Sequence, residues 1–525
     1  MLDDPAVLIP DILASHARHF PLREAVVCGA VRRCWGDFGA NVHRVANALH
    51  GAGIGRGDKV AVLMGNSVEM LEVVFGIVAA GACVVPLSGL LTGQQLAHLL
   101  DDSDSVWVFA ALDFRDRIEA HRTQLGKVRA DGWVAVFGSA AEGWRDFGAL
   151  VSGAATTPSP VACRADDAFN IIYSSGTTGL PKGIMQTHRA RTHWAWSNAV
   201  ELGFDDTSRA LTTTALYSNG TWLMMLPVLF VGGTCVVMPA FTPQAFMPLI
   251  AAERITHSFM VPSQYLMVLQ LPDFDTHDTS TLKSLLSAGS PLRRDIKREA
   301  LKRFGNKLTE LYGFSEGFAT MLKPHQHEAH FDSVGTPVLG FELRILDDDG
   351  HQLPRGETGE IAGYGAGMMA GYHRRADATA ELVWRDERGR SFIRSGDIGR
   401  LDDDGFLHIV DRKKDMIISG GFNLFPSDIE AVVSMHPAVL DVTVIGVPHD
   451  KWGETPLALV IRKDATGANA NASTDDMLQW ANQRLARHQR LSALEWRDEF
   501  PRNALGKVLK RVLREPYWAQ RDAPL

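Results

Sequence analysis

The residue types best suited to phosphate chemistry are concentrated in an eleven-residue segment at positions 173–183. This segment contains four serine or threonine hydroxyls, three glycines and one lysine, and it follows an apolar run at 169–172 that predicts a buried strand. Glycine lets the backbone approach a ligand closely, and free N–H groups, hydroxyls and the ammonium of Lys182 can then surround phosphate oxygens. The spacing differs from that of the P-loop, and the preceding strand argues against a flexible linker. The segment therefore predicts a phosphate-binding loop.

This loop resembles the signature loop of the adenylate-forming superfamily, which includes acyl-CoA synthetases, amino-acid adenylation domains and luciferases. Two further segments follow in the family's order. Residues 312–317, Tyr-Gly-Phe-Ser-Glu-Gly, resemble YGxTE with serine in place of threonine, and residues 501–507 resemble PRxxxGK. The resemblance covers essentially the whole chain. It implies that a carboxylate attacks the α-phosphate of ATP to give an acyl-adenylate and pyrophosphate.

The resemblance also implies how the ATP site is built. Lys182 is expected at the β- and γ-phosphates, while Thr177 and Glu316 are expected to bind Mg²⁺, which prefers hard oxygen ligands. The ammonium of Lys507 would bridge the substrate carboxylate and the α-phosphate as charge develops, so these four residues form the predicted catalytic set. The residues expected to contact ATP or AMP are Ser174, Ser175, Gly176, Thr177, Thr178, Lys182, Gly289, Glu310, Leu311, Tyr312, Gly313, Ser315, Asp397, Arg412 and Lys507.

A charged run at residues 411–415, Asp-Arg-Lys-Lys-Asp, has the composition of a solvated turn. At this place the superfamily has the hinge between a large N-terminal domain and a small mobile C-terminal domain, and the resemblance assigns the hinge position to Lys414. By the same resemblance, Asp397 accepts hydrogen bonds from the ribose hydroxyls and Arg412 assists at the ribose or the phosphate.

CoA binding is expected after the small domain rotates. The loop that the rotation would bring to the pantetheine of CoA consists of Gly420, Gly421 and Phe422. The resemblance leaves the bases at the CoA phosphates open, because Ala240 stands where some aromatic acyl ligases have a CoA-contacting lysine. The candidate bases are Arg484, Arg487, Arg490, Lys510 and Arg511, each individually typical of an ordinary exposed base.

The acyl pocket is predicted around residues 216–220, where many fatty-acyl and aryl ligases have a histidine at the position of Ser218. Amino-acid adenylation domains carry an aspartate in this region, and its absence disfavours amino-acid substrates because a buried ammonium without a partner is costly. The sequence leaves a short, branched, hydroxylated, fatty or aromatic acid open as the substrate. The residues expected to line the pocket are Tyr217, Ser218, Asn219, Gly220, Trp222, Ala288, Gly313 and Phe314.

Length, charge and cysteine content limit the classes of protein to which this chain can belong. A chain of 525 residues exceeds the size of one core and predicts at least two domains. The net charge of −8 argues against a general nucleic-acid binder, and five cysteines without a CxxC pair favour reduced thiols in a cytoplasmic protein. We expect no signal peptide and no membrane span. A homodimer is expected from the resemblance alone.

The order of predicted elements indicates the fold. Strands such as residues 59–64 alternate with helices, which favours parallel sheets covered by helices. Short strands and turn signals then indicate an antiparallel, barrel-like subdomain at about 335–411. We therefore expect an α/β N-terminal domain, 1–411, with two βαβ-type sheets and this subdomain, and an α+β C-terminal domain, 412–525. A capping-box pattern at 427–430 predicts the start of a helix.

Together these features predict an AMP-forming acid–CoA ligase, which converts an acid, ATP and CoA to acyl-CoA, AMP and pyrophosphate. The nearest alternative is an adenylating enzyme that loads an acyl carrier protein. The glycine pair at 420–421 favours CoA as the acyl acceptor without excluding a carrier protein. The alternative of another class is a nucleotide- or acyl-binding protein without catalysis. The joint presence of Lys182, Glu316, Asp397 and Lys507 argues against it, because binding alone does not need Lys507.

Overall fold

The chain forms a large α/β N-terminal domain with sheets and a small C-terminal domain, as predicted. The computed structural model describes residues 7–138, 141–173, 181–419, 422–463, 473–502 and 508–519. By contacts between residues, the chain divides into two compact units. The first unit comprises Met1–Phe331, Gly335–Glu342 and Tyr364–Ile393, and the second comprises Asp332–Val334, Leu343–Gly363 and Arg394–Leu525. The predicted domain boundary at residue 412 stays a prediction.

Many helices begin at a serine or threonine whose side chain accepts a backbone N–H, as Ser67, Thr92 and Thr187 do. None of the described helices is long and apolar enough to cross a membrane. In chain order the helices are α1 (Ile9–His19), α2 (Trp35–Gly51), α3 (Val68–Ala79), α4 (Gly93–Asp102), α5 (Leu112–Glu119), α6 (Phe147–Ser152), α7 (His188–Leu202), α8 (Trp222–Phe230), α9 (Pro243–Ala252), α10 (Pro262–Leu269), α11 (Arg294–Phe304), α12 (Ala376–Ala380), α13 (Pro426–Val433), α14 (Thr474–Asn482) and α15 (Lys510–Trp518).

The strands are mostly short, apolar and buried on both faces, which is typical of sheets covered by helices. In chain order they are β1 (Glu24–Cys28), β2 (Val31–Cys34), β3 (Lys59–Leu63), β4 (Cys83–Pro86), β5 (Ser105–Ala111), β6 (Trp133–Val136), β7 (Arg145–Asp146), β8 (Ala168–Tyr173), β9 (Gly183–Thr187), β10 (Arg209–Thr212), β11 (Thr234–Val237), β12 (His257–Met260), β13 (Ser284–Ser287), β14 (Leu308–Gly313), β15 (Ala319–Leu322), β16 (Thr336–Pro337), β17 (Phe341–Leu346), β18 (Gly359–Gly365), β19 (Gly371–Tyr372), β20 (Val383–Arg385), β21 (Ser391–Leu401), β22 (Leu407–Arg412), β23 (Ile417–Ser419), β24 (Phe422–Leu424), β25 (Val439–His449), β26 (Gly453–Arg462) and β27 (Ala493–Arg497).

The first unit contains two large mixed sheets. One has the strand order β16-β15-β14-β13-β12-β10-β11-β1-β2, with parallel pairing from β14 through to β1. The other has the order β19-β9-β8-β4-β3-β5-β6-β7, with parallel pairing from β8 to β7. The carboxyl ends of parallel strands share one edge of a sheet, where ligands bind in open α/β folds. The segments after β10, β13 and β14 therefore lie at the same edge of the first of these sheets.

The second unit is built on a sheet with the order β24-β23-β26-β25, to which β27 adds in parallel beside β26. Helices α13 and α14 cover it with the buried side chains Ile429, Val433 and Met477. Nearer the middle of the chain, β22 pairs antiparallel with residues 397–401 of β21, and, within the first unit, β20 pairs antiparallel with residues 391–393 of β21. These antiparallel strands lie in the segment predicted to be barrel-like.

One local prediction for the second unit is wrong. Helix α13 exists, but it begins at Pro426 without a side-chain cap. The Ser427 hydroxyl donates instead to the carbonyl of Val410 at 2.6 Å. The Glu430 carboxylate accepts the backbone N–H of Val444 at 2.7 Å. Both members of the expected capping box are therefore used in contacts with strands, which local sequence spacing does not reveal.

Candidate active site

Two of the predicted catalytic residues, Lys182 and Glu316, lie against the same side chain, that of Tyr372. The Tyr372 hydroxyl donates a hydrogen bond to Oε1 of Glu316 at 2.7 Å. The ammonium of Lys182 lies 4.8 Å from the centre of the Tyr372 ring, within the range of a cation–π contact. Tyr372 is 8% exposed, and its burial together with the Glu316 carboxylate raises its pKa above the ordinary value. The hydroxyl therefore stays protonated and acts as a donor.

The segment that carries Glu316 is held from several elements of the first unit. The side-chain amide of Asn219 donates to Oγ of Ser315 at 3.1 Å, and Gln186 on β9 donates to the Ser315 carbonyl at 2.9 Å. The N–H of Met369 donates to the Glu316 carbonyl at 2.9 Å. Asn219 was predicted in the acyl pocket and Ser315 at the nucleotide, so the structure brings these two predicted groups into contact.

Strand β14 carries a partly buried carboxylate, Glu310, ahead of Leu311, Tyr312 and Gly313. Burial raises the pKa of Glu310, and the ammonium of Lys297 on α11, with which it forms an ion pair, opposes that shift. Lys297 is 3% exposed and also donates to the carbonyl of Phe331. The Glu310 side chain is thus engaged with α11, and a contact of this residue with ATP stays a prediction.

Glycine is required at two predicted site positions. Gly289 follows β13 with a φ of +96°, which disfavours any side chain. A Cβ at Gly313 would lie 2.8 Å from the carbonyl oxygen of Phe318 and 3.0 Å from the Cβ of Ala319. Gly313 is therefore needed for the close approach of β14 and β15, in addition to any role beside the acyl group.

The predicted acyl-pocket loop is fixed by buried polar contacts. Asn66 accepts the N–H of Leu216 at 2.8 Å, and the indole N–H of Trp222 donates to the Leu216 carbonyl at 2.8 Å. The guanidinium of Arg191 lies 4.6 Å from the Trp222 ring centre and donates to Oδ1 of Asn170 at 2.6 Å. Burial lowers the pKa of Arg191 to about 9. Trp222 is 2% exposed, so it supports the loop from behind.

Tyr217, Asn219 and Gly220 in the same loop are partly exposed, whereas Ser218 is buried. Ala288 is buried after β13, and the ring of Phe314 packs edge-on against Phe318 at 5.1 Å. A contact of these residues with an acyl group stays a prediction.

The predicted ribose-binding residues of the second unit lie on neighbouring strands. Asp397 on β21 is paired in register with Arg412 on β22, and Nε of Arg412 lies 3.4 Å from Oδ1 of Asp397. The beginning of the charged run is not a solvated turn, because Asp411 and Arg412 belong to β22 and Asp411 is buried. The Asp411 carboxylate accepts the N–H groups of Arg412 and Ser427. The hinge role of Lys414 stays a prediction.

The candidate bases for CoA differ in their partners. Lys510 pairs with Glu430 at 2.8 Å, Arg511 pairs with Glu515 at 3.3 Å, and Arg484 packs over the Trp480 ring at 4.1 Å.

Arg487 and Arg490 are exposed and form no ion pair within the described part of the chain. Between them, His488 stacks on Phe422, a predicted CoA-binding residue, with ring centres 5.6 Å apart. Phe422 itself is 59% exposed. These four residues form an aromatic and basic surface on the second unit, called the basic aromatic surface below.

Several predicted site residues lie outside the described residues: Ser174, Ser175, Gly176, Thr177, Thr178, Gly420, Gly421 and Lys507. The predicted roles of these residues therefore stay predictions.

Sequence reasoning missed the segment from Gly371 to Arg375, which contacts the phosphate-loop strands. The local sequence that could have drawn attention to this segment is Tyr-His-Arg-Arg after a glycine. The histidines at 325, 327 and 330, whose spacing could suggest a metal site, do not form a metal-binding group among the described residues. His327 instead bonds the Leu308 carbonyl at 2.8 Å.

Comparison with known families gives two matches along the chain. The model of the AMP-binding enzyme family matches residues 13–373, and that of the AMP-binding enzyme C-terminal domain matches residues 428–507. Feruloyl-CoA synthase of Amycolatopsis sp is 33% identical over 506 residues, which cover 95% of this chain and 97% of that protein. The fatty acid–[acyl-carrier-protein] ligase ScoC of Streptomyces coeruleorubidus is 30% identical over 514 residues, covering 96% and 95%.

Solved structures are also similar over nearly the whole length. ATP-bound MatB from Rhodopseudomonas palustris superposes with a TM-score of 0.87 at 28% identity, covering 97% of this chain and 99% of that chain. The o-succinylbenzoate CoA synthetase (MenE) of Bacillus subtilis, in complex with its acyl-adenylate intermediate, gives a TM-score of 0.82 at 26% identity, covering 96% and 98%.

Proposed function

The chain belongs to the AMP-binding enzyme family and is an acid–CoA ligase, and we propose that it activates a carboxylic acid with an apolar body at the site formed by Lys182 and Glu316. The acid reacts with ATP to give an acyl-adenylate and pyrophosphate, and the thiol of CoA then displaces AMP. One observation carries this assignment of the site: Lys182 and Glu316, far apart in sequence, meet at Tyr372. A cation and a carboxylate at one place suit a phosphoryl group and its metal, because catalysis there depends on positioning and charge neutralisation.

The groups around Glu316 fit Mg²⁺. One carboxylate oxygen of Glu316 is held by Tyr372, and the Ser315 hydroxyl lies on the adjacent residue, so the donor set consists of hard oxygens. Thr177 is proposed as a further ligand. Bound magnesium would neutralise part of the charge on the ATP phosphates. Lys507 is proposed to bridge the carboxylate and the α-phosphate.

The thiol-transfer step is assigned to the second unit. We propose that rotation at Lys414 brings the glycine pair at 420–421 to the pantetheine of CoA. The basic aromatic surface is proposed to hold the phosphate-bearing end of CoA, since Arg487 and Arg490 are exposed and lack carboxylate partners within the described residues. Asp397 and Arg412 are proposed to hold the ribose of AMP.

The class of acid is tested with purified protein, MgCl₂, ATP and a panel of aromatic, fatty, branched and hydroxylated acids, each with and without CoA. AMP release that requires both CoA and one class of apolar acid is the expected result. The side chains of Ala288 and Phe314 support an apolar acyl group. AMP release only with small hydroxylated acids would contradict the proposed substrate class.

A carrier protein as the acyl acceptor is the second candidate, and the similarity to a fatty acid–[acyl-carrier-protein] ligase supports it. Acid-dependent exchange of pyrophosphate into ATP, without any CoA thioester, would favour this acceptor. A cytoplasmic location and a homodimer stay predictions, to be measured by cell fractionation and by light scattering of the purified protein.

A further inference from the structure

We infer that Tyr372 is a positioning residue for the adenylation step, whose hydroxyl fixes the Glu316 carboxylate for the metal and whose ring fixes the Lys182 ammonium for the phosphates. The inference rests on the proposed function, in which Glu316 binds magnesium. It assigns a role to a residue outside every segment that the sequence marked as catalytic.

Tyr372 reaches both charged groups from one buried position. Its hydroxyl donates to one oxygen of Glu316, which leaves the other carboxylate oxygen to face a cation. Its ring packs with Ile184, Met369 and Ile393, so the ring has little freedom to rotate away. A phenol, whose ordinary pKa is about 10, is neutral at physiological pH, so it orients the carboxylate without adding a second negative charge beside it.

The backbone around Tyr372 is tied to the strand that follows the phosphate loop. Tyr372 pairs with Ile184 between β19 and β9, and its N–H donates to Oγ1 of Thr379 at 2.9 Å. The N–H of His373 donates to the carbonyl of Gly183 at 2.7 Å, one residue beyond Lys182. A displacement of Tyr372 would therefore also displace the residues next to Lys182.

The next three side chains anchor this segment to the end of α4. His373 and Arg374 each lie 3.0 Å from a carboxylate oxygen of Asp104. Arg375 donates to Asp102 at 2.7 Å, and the other oxygen of Asp102 accepts the hydroxyl of Tyr173 at 2.8 Å.

Tyr173 is the last residue of β8, so Asp102 connects the start of the phosphate loop to the segment that carries Tyr372. Together with the His373–Gly183 bond, these contacts hold both ends of the loop against one short segment. A side chain on such a segment is well suited to fix charged groups, because its own position is over-determined by its neighbours.

The loss of metal affinity is known for cases in which a group that orients a metal ligand is removed. Removing a hydrogen-bond partner of a metal-binding side chain costs about 10- to 100-fold in metal affinity. Tyr372→Phe keeps the ring beneath Lys182 and removes only the hydroxyl, so its effect should fall on Glu316. We expect an effect near the lower limit, because one of several ligands is disturbed.

The test measures Mn²⁺ binding by electron paramagnetic resonance in the presence of a non-hydrolysable ATP analogue. For Tyr372→Phe, the dissociation constant for Mn²⁺ should rise about tenfold, while binding of the analogue without metal stays unchanged. Tyr364→Phe is the matched control, since its hydroxyl has no hydrogen-bond partner in the described part of the first unit and its ring packs on Phe392. An equal effect of both variants would overturn the inference.

Glu316→Gln separates failure of this inference from failure of the proposed function. If Glu316→Gln weakens Mn²⁺ binding and Tyr372→Phe does not, Tyr372 has no positioning role and the metal assignment stands. If Glu316→Gln leaves Mn²⁺ binding unchanged, the metal assignment itself is wrong and the inference fails with it. Weakening by both variants, with Tyr364→Phe unaffected, is the expected result.

Discussion

The two units offer contrasting surfaces to their ligands. In the first, Lys182 and Glu316 meet at a tyrosine that is 8% exposed, and its segment is held by strand pairing and by the ion pair of Arg375 with Asp102. In the second, the basic aromatic surface centres on Phe422, which is 59% exposed, and its two arginines have no carboxylate partners among the described residues. The first region is pre-organised, and the second, if it binds CoA as proposed, would depend on that ligand to complete its contacts.

This difference follows from what each step requires. Adenylation places an attacking oxygen, a phosphorus and a leaving group in line, and fixed charges lower the barrier because they need no reorganisation during the reaction. Holding the distal phosphates of CoA requires attraction rather than alignment, and exposed arginines supply it at modest energy. Single substitutions should therefore have large effects on adenylation and smaller effects on CoA affinity.

The largest expected effect is that of Lys507→Ala, in a residue of the C-terminal segment that is assigned to adenylation. Loss of its charge should lower the rate of acyl-adenylate formation by about 10²- to 10³-fold, the usual cost of removing one group that stabilises a transition-state charge. Thioester formation from supplied acyl-adenylate and CoA should remain. Quenched-flow measurement of each half-reaction tests both statements.

Lys463→Ala is the matched control for this variant, because Lys463 is an exposed lysine of the same unit and should leave both half-reactions unchanged. If Lys507→Ala retained full acyl-adenylate formation, neither half-reaction would depend on Lys507. The assignment of this lysine to adenylation would then be wrong.

A smaller effect is expected at the basic aromatic surface. The double substitution Arg487→Ala and Arg490→Ala should raise the KM for CoA about 5- to 30-fold, because each exposed charge pair is worth about 0.5–1 kcal/mol. The effect should shrink as the salt concentration rises, since exposed charges are screened. Steady-state kinetics at two salt concentrations measure it.

Pyrophosphate exchange in the absence of CoA should be unchanged in this double variant, because the substitution does not touch the adenylation site. Arg511→Ala is the matched control, since Arg511 already pairs with Glu515. An equal rise in KM for Arg511→Ala would show a general effect of charge and count against the basic aromatic surface as a CoA site.

Much of the fold was predictable from local patterns. The strand expected at 59–64 is β3 at Lys59–Leu63, and the apolar run at 169–172, expected to be a buried strand, lies within β8 at Ala168–Tyr173. Such predictions succeed because short apolar runs bounded by turn residues determine a buried strand almost alone. The phosphate-loop motif likewise needs only adjacent residues, so the family could be recognised from the sequence.

The residues that were missed act through partners distant in sequence. Tyr372 contacts Glu316 and Lys182 only because β19 pairs with β9, and nothing local marks that pairing. The expected cap at Ser427 fails for the same reason, since its hydroxyl bonds Val410 instead. Asp411 looked like part of a solvated turn, yet the N–H groups of Arg412 and Ser427 satisfy its buried carboxylate.

The units should also differ in their response to acid. In the first unit, burial lowers the pKa of His188, His257 and His327 to about 4 each. In the described part of the second unit, His436 is the histidine whose pKa is lowered, and it is only partly buried. Protonation of histidines should therefore destabilise the first unit more than the second.

The direction in which stability changes with pH follows from the lowered pKa values of these histidines. The pKa of an unfolded histidine is about 6.5, so below that pH the unfolded chain binds more protons than the folded chain. The stability contributed by these neutral histidines is complete above about pH 6.5 and is lost as the pH falls toward 4. Each histidine should cost about 1–2 kcal/mol of unfolding free energy between pH 7 and pH 5.

Hydrogen–deuterium exchange, corrected for the intrinsic rate at each pH, can follow both units in one sample. Between pH 7 and pH 5, protection should fall more in peptides from α7 and β12 than in peptides from β25 and β26. His257→Gln should reduce the pH dependence in the first unit, because it removes one titrating group that bonds the Leu202 carbonyl. Equal loss of protection in both units would mean that protonation of these buried histidines does not cause the loss of stability at low pH.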